Sequence, residues 1–238
     1  MDSAAARTKL LTSPATFLKH YPVKCAGASA PNQNAANLRQ YNINKLGGDM
    51  PPAQGQKVGH RGATRPGILG YTRDISSFKL DHAATVNGTV IPQAHVVPMV
   101  NHSSPIYNCL DLLGNVTAMP YYLLDGTGDG LMVTGELSNC CFCWIVQGAD
   151  LWCIHVQPVG GITPLALQAA LTATGRFAAA PAANLSTFGR TEYPAGRASV
   201  IGVRQAGVWS LYAQVTPDST FSTLTASYKI APGAMVRL

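Results

Sequence analysis

Residues 140–157, CCFCWIVQGADLWCIHVQ, hold two strand-like runs around one short turn, and that pairing constrains the fold more than any other feature of the chain. Phe, Trp, Ile and Val dominate both runs, residue types that suit a pleated, half-buried surface. Gln147-Gly148-Ala149-Asp150 is the turn between them. If residue 147 pairs with 150, then 142 faces 155 and 140 faces 157. Side chains alternate between the faces of a sheet, so Cys140, Phe142, Trp144 and Val146 share a face with Leu151, Cys153, His155 and Gln157. Cys140 and His155 become diagonal neighbours, about 7–8 Å apart by backbone position. Cys141 and Cys143 point the other way. An odd-length loop or a bulge inverts this parity.

The rest of the chain supports a strand-rich fold. From residue 68 onward short apolar runs alternate with turn signals. Asn87-Gly88 is a hairpin signal, Asp125-Gly126 and Asp129-Gly130 mark a tight loop, and Pro92, Pro98, Pro105 and Pro120 limit strand length. Ser199–Arg204 and Val208–Val215 read as a hairpin around Gln205-Ala206-Gly207, and Phe221–Ile230 as a further strand. One helix is well defined: Thr163 caps it, Pro164 suits its first position, Leu167, Ala170 and Leu171 share a face, and Gly175 closes it. The expected fold class is α+β, a mostly antiparallel β-sandwich or curled mixed sheet flanked by helices. With 238 residues, 47% of them apolar, there is enough material for a sizeable core.

The charge is unevenly placed. Residues 1–60 hold seven Lys/Arg against Asp2 and Asp49, and the remaining residues are nearly balanced. Residues 4–20 fit a short helix with Leu10, Leu11, Phe17 and Leu18 on one face, and residues 26–57 lack hydrophobic periodicity. The expected division is a basic, partly irregular N-terminal arm over 1–60 and a compact domain over 61–238. Phe17, Tyr21 and Tyr41 are too scattered for a base-stacking surface, so no nucleic-acid partner is expected. No apolar run is long enough for a membrane span. The N-terminus, MDSAAARTKLLTSP, lacks the apolar stretch of a Sec-type signal peptide.

Four chemistries compete for the cysteine-rich stretch. A disulfide knot is disfavoured because adjacent Cys140 and Cys141 cannot both be bridged within the segment without strain, and a reducing compartment follows. Zinc would need Cys140, Cys143, Cys153 and His155 together, but a continuing strand sets Cys140 and Cys143 on opposite faces. Zinc is therefore disfavoured. Small core residues describe Cys141, Cys143 and Cys153 well. Cys140 differs because it shares a face with a histidine, and imidazole can take the thiol proton to make a nucleophile.

The residues around this pair sharpen the reading. Thr134, Leu137-Ser138-Asn139-Cys140 and His155 resemble the Thr … Leu-Ser-Gly-Cys … His pattern of the bacterial glutamine-deamidase toxins, such as the cytotoxic necrotizing factor catalytic domain and Burkholderia lethal factor. Thr134 stands six positions before Cys140, as in that pattern, and His155 fifteen after it on the next strand. The match covers about two dozen residues. It departs at Asn139, where glycine is usual; Asn tolerates a positive φ better than other non-glycine residues, and its side chain could instead contact substrate.

The resemblance implies hydrolysis of a specific glutamine side-chain amide in a host protein. Cys140 is the nucleophile, His155 the base, Thr134 the residue that orients His155, and Ser138 and Asn139 are candidate substrate contacts. It implies no cofactor and a host partner such as a GTPase or a translation-initiation helicase. It also implies a monomeric bacterial protein, exported or injected and acting in the host cytosol. Two rivals remain open. One is a cysteine protease or transglutaminase-like acyl transferase, which shares thioester chemistry. The other is a non-catalytic, β-rich binding or coat-like protein.

Overall fold

A computed structural model describes residues 1–26, 38–46, 77–81, 89–101, 122–148, 150–158, 161–174, 185–221 and 223–238. The described elements are, in order, α1 (Ser3–Thr12), α2 (Pro14–His20), β1 (Val23–Cys25), β2 (Leu38–Leu46), β3 (Ser77–Asp81), β4 (Thr89–Val97), β5 (Met99–Asn101), β6 (Tyr122–Leu124), β7 (Leu131–Thr134), β8 (Cys141–Gln147), β9 (Asp150–Gln157), α3 (Pro164–Thr174), β10 (Ser186–Phe188), β11 (Arg197–Gln205), β12 (Val208–Thr216), β13 (Ala226–Ala231) and β14 (Val236–Arg237). The fold is α+β, as expected.

Two sheets organise it. A nine-stranded mixed sheet runs β1-β3-β2-β4-β7-β11-β12-β13-β14. A five-stranded sheet runs β10-β8-β9-β5, with β6 also on β9. β6 pairs with Leu151 to Cys153, and β5 takes over the same edge at His155 to Gln157. One apolar core lies between the sheets and joins Met132, Val200, Leu211 and Ala213 of the large sheet to Phe142, Trp144 and Phe188 of the small one. A second covers the outer face of the large sheet, where α1 and α2 bury Ala6, Leu10, Phe17 and Leu18 against Tyr41, Phe78 and Ile201. A third packs Leu167 and Leu171 of α3 on Cys141, Cys143, Ile145 and Ile154.

The hairpin register read from sequence holds: Gln147 pairs with Asp150, and Phe142 with His155. Cys140, Phe142, Trp144, Leu151 and Cys153 accordingly face the inter-sheet core, while Cys141 and Cys143 face α3. Thr163 Oγ1 accepts from Ala166 N at 3.2 Å, the cap expected for α3. β11 and β12 pair through Gln205 and Val208 around a two-residue turn in which both Ala206 and Gly207 have positive φ.

Two expectations are corrected. Residues 1–26 and 38–46 do not form an arm. α1 and α2 close the outer core, β2 is internal to the large sheet's order, and β1 stands at its end beside β3. β1 is too short to show a period, and the apolar face of β2 is only Tyr41 and Ile43 within a polar run. Gln214 ties this region to the body: its Oε1 accepts from Val23 N, and its Nε2 donates to Leu18 O and Tyr21 O. Residues 47–60 lie outside the described residues. The Asn87-Gly88 hairpin is the second correction. The turn itself also lies outside, but β3 and β4 flank β2 on opposite sides instead of pairing with each other.

Candidate functional site

The two sheets meet where one strand changes partner. β4 runs beside β7, with Val97 opposite Thr134. Pro98 then interrupts the ladder, as a residue without a backbone donor must. The chain continues as β5 beside β9, with Met99 opposite His155. This crossing brings the end of β7 against β9 and so joins two residues that lie 21 positions apart.

Thr134 and His155 are both fully buried and in contact, Thr134 Oγ1 to His155 Nδ1 at 2.8 Å. The same hydroxyl donates to Val97 O at 2.8 Å. A hydroxyl has one proton, so Thr134 accepts from Nδ1–H and the neutral imidazole keeps its lone pair on Nε2. Nε2 is buried and has no hydrogen-bond partner among the described residues. Burial pushes the His155 pKa down to about 3, with no compensating charge among the described residues. The imidazole is a base held neutral in one tautomer.

Cys140 lies on the same face, just before β8, and is 3% exposed. Its thiol contacts Met99 Sδ at 3.8 Å, and Met99 is the ladder partner of His155. Burial pushes the Cys140 thiol up to about 11, against peptide N–H groups of Asn139 and Ser138 that favour the thiolate. At rest the thiol and the imidazole are both neutral, and no hydrogen bond joins Sγ to Nε2.

The connection from β7 to β8 that carries Cys140 is tied down at four points. Leu137 exchanges two backbone bonds with Ala198, at 2.8 and 2.9 Å. Glu136 pairs with Arg197. Asn139 Oδ1 accepts from Arg190 Nη2 at 2.8 Å. Tyr193 OH donates to Cys140 O, and the Arg190 guanidinium lies 5.0 Å above the Tyr193 ring. Asn139 is not among the residues with positive φ, so it does not stand in for a left-handed glycine. Its side chain anchors Arg190 instead. Ser138 acts on the sulfur through its peptide N–H.

Beside this loop an open groove of about 510 Å³ is lined by Asn139, residues 163–165, Arg190, Thr191 and Pro194. The tight loop from Asp125 to Gly130 is at the other end of β7 from Thr134. It is held there by Asp129 to Gln93 N, by Trp209 Nε1 to Asp125 O, and by Arg204 to the carbonyls of Asp125 and Gly128. The four residues considered for zinc are divided by strand parity, with Cys143 on the α3 face. Among the described residues no group of three or more His, Cys, Asp or Glu could hold a metal ion, and no helix is long and apolar enough to cross a membrane.

Sequence reasoning brought together Cys140, His155 and Thr134 and missed Val97, Met99, Arg190 and Tyr193. Pro98, a strand interruption between two apolar runs, was the one local signal for the crossing. Arg190 and Tyr193 lie in a polar Gly/Pro-bounded loop, GRTEYPAG, with no spacing that points to Cys140. Comparison with protein-family models and with curated proteins finds no match to this chain.

Proposed function

We propose that this chain is a protein-glutamine deamidase, a hydrolase with Cys140 as nucleophile, His155 as base and Thr134 as the residue that orients the base. One observation carries the reading: His155 is fixed through Nδ1 by a hydroxyl whose own proton is committed to Val97 O, and its buried Nε2 lacks a partner among the described residues, on the strand face that bears Cys140. A purely structural histidine at this depth has no reason to leave that nitrogen unpaired. The short resemblance around Thr134, Ser138 and Cys140 supports the same reading.

In this mechanism substrate entry displaces the Met99 side chain, which is 46% exposed and unbranched. The Cys140 thiol gives its proton to His155 Nε2, and the sulfur attacks the carboxamide carbon. Peptide N–H groups of the Ser138 to Cys140 loop stabilise the oxyanion. The intermediate collapses as the imidazolium protonates the departing ammonia, leaving a thioester. His155 then takes a proton from water, hydroxide adds to the thioester, and glutamate and the thiol are released. The proposed partner is a host protein, and the proposed place of action is the host cytosol.

A second reading, a non-catalytic β-rich binding protein, is favoured by the burial of Cys140 and its contact with Met99. Incubating the full chain with host-cell lysate separates these and the other thioester enzymes. A glutamine-to-glutamate mass change without cleavage supports deamidation; fragments mean a protease, and incorporated amine means an acyl transferase. The Cys140→Ser variant should show no mass change, and unchanged activity in it would sink the catalytic reading.

A further inference from the structure

The groove next to Cys140 has an unusual charge arrangement. Among the described residues Arg190 is the one charged residue that lines it. Its Nη1 donates to Tyr193 O at 3.0 Å and Gly196 O at 3.3 Å, and its Nη2 to Asn139 Oδ1. All three acceptors are neutral. Among the described residues Arg190 forms no ion pair, in contrast with Arg197, which pairs with Glu136. The nearby Glu192 carboxylate is engaged elsewhere, by Gly189 N and by Gln168 Nε2. The guanidinium is therefore held in place by neutral acceptors, without a salt bridge among the described residues.

The walls are preorganised. Gln168 of α3 is 5% exposed. Its Oε1 accepts from Thr191 N at 2.9 Å and from Thr191 Oγ1 at 3.0 Å, which ties the Arg190 loop to the helix. The approach is close: a Cβ on Gly189 would meet Gln168 Oε1 at 2.6 Å. The remaining lining is largely apolar, with Leu165 58% exposed between Pro164 and the groove. A volume of about 510 Å³ suits two or three side chains and lies within the range of about 300–1,000 Å³ typical of ligand pockets.

We propose that this groove binds an extended segment of the target protein that carries an acidic side chain beside an apolar one, with Arg190 taking the carboxylate and Leu165 and Pro194 the apolar group. Arg190 meets a carboxylate through charge-assisted hydrogen bonds. Asn139 joins the groove to the nucleophile one residue away, so a segment seated there presents its neighbouring residues to Cys140. The inference deepens the deamidase reading by assigning its substrate class.

The test uses the full chain with Cys140→Ala, so that binding is measured without turnover. The probes are synthetic peptides with a central glutamine and a leucine neighbour, differing only in Glu, Gln or Lys at a flanking position. The Glu peptides should bind roughly three- to tenfold tighter than the Gln peptides and tighter still than the Lys peptides, with the preference shrinking as salt rises. Leu165→Glu should abolish the preference and Leu165→Lys should increase it. Arg190→Gln should equalise Glu and Gln peptides. Because Arg190 also holds Asn139 and two carbonyls, the exposed Leu165 pair decides the question if R190Q fails to fold. Absence of binding, absence of charge preference, or a preference unchanged in Leu165→Glu would each overturn the proposal. The wild-type chain is then assayed for glutamine conversion on the same peptides. Preference without conversion removes the deamidase reading and keeps the groove; conversion without preference does the reverse.

Discussion

His95 and His155 are both buried histidines that link the two sheets, and they are satisfied to different degrees. His95 of β4 contacts Tyr122 OH of β6 through Nδ1 at 2.9 Å and Thr127 O through Nε2 at 3.0 Å. The carbonyl can only accept, so Nε2 carries the proton and Nδ1 accepts from the tyrosine. His155 of β9 has one nitrogen paired and the other without a partner among the described residues. Burial lowers both pKa values. For His95 the Thr127 carbonyl and the Asp125 carboxylate oppose it, whereas for His155 nothing does. A buried polar group with a full partner set stabilises a fold; one left half-paired costs stability and needs another reason to be there.

That difference is open to attack by substitution. The largest effect is on rate: His155→Leu should reduce the proposed deamidation roughly 10⁴–10⁶-fold, as removal of the base does in triad hydrolases, while folded His95→Leu keeps that activity within a few-fold. Similar losses in both, measured by single-turnover conversion, would erase the functional distinction.

The pH dependence of stability comes next. The folded pKa of His155 lies at about 3, below its ordinary 6.5, so the unfolded chain takes up the proton more readily. Its contribution is complete above pH 6.5 and is lost as pH falls through about 3, at up to about 1.4 kcal/mol per pH unit. His155→Leu should flatten denaturation curves by that increment over this window. His95→Leu should flatten them less, because its shift has the same sign but is partly compensated.

At neutral pH the ranking reverses. His95→Leu removes the donor to Thr127 O and the acceptor for Tyr122 OH, and should cost roughly 2–4 kcal/mol. His155→Leu should stay within about 1 kcal/mol, because the loss at Thr134 is offset by removal of an orphaned nitrogen. Denaturant midpoints at constant slope measure both. Equal destabilisation would contradict the contrast.

Two smaller substitutions probe the pair's surroundings. Thr134→Val deletes the hydroxyl that fixes the tautomer and should slow turnover about 10²-fold with little change in KM. Asn139→Gly removes only the bond to Arg190 and should cost about 1 kcal/mol or less with activity within a few-fold. A collapse of activity in the glycine variant would mean that the asparagine itself acts on substrate.

Much of the site was legible because it is local. Once the Gln147–Asp150 pair is assigned, alternation along two adjacent strands puts Cys140 and His155 on one face and Cys141 and Cys143 on the other. The N-terminal region was misread for the opposite reason. β1 and β2 find their partners across the large sheet, and their meaning lies in Phe78, Leu80 and Ile91, residues distant in sequence. Asn87-Gly88 misled likewise, since a turn signal does not reveal whether a third strand separates the two it joins.

The sequence by itself determined the hairpin, its register, the division of the cysteines and the helix from Pro164, all set by periodicity and turn chemistry within about twenty residues. Only the tertiary structure decided that β4 changes sheets at Pro98, that Thr134 thereby reaches His155 Nδ1 with its proton committed to Val97 O, and that Arg190 is held over the groove at Asn139 by neutral acceptors. Those facts depend on which strands neighbour one another and on which buried groups are left without partners. No local pattern encodes either, because they are settled only when both sheets close on a shared core.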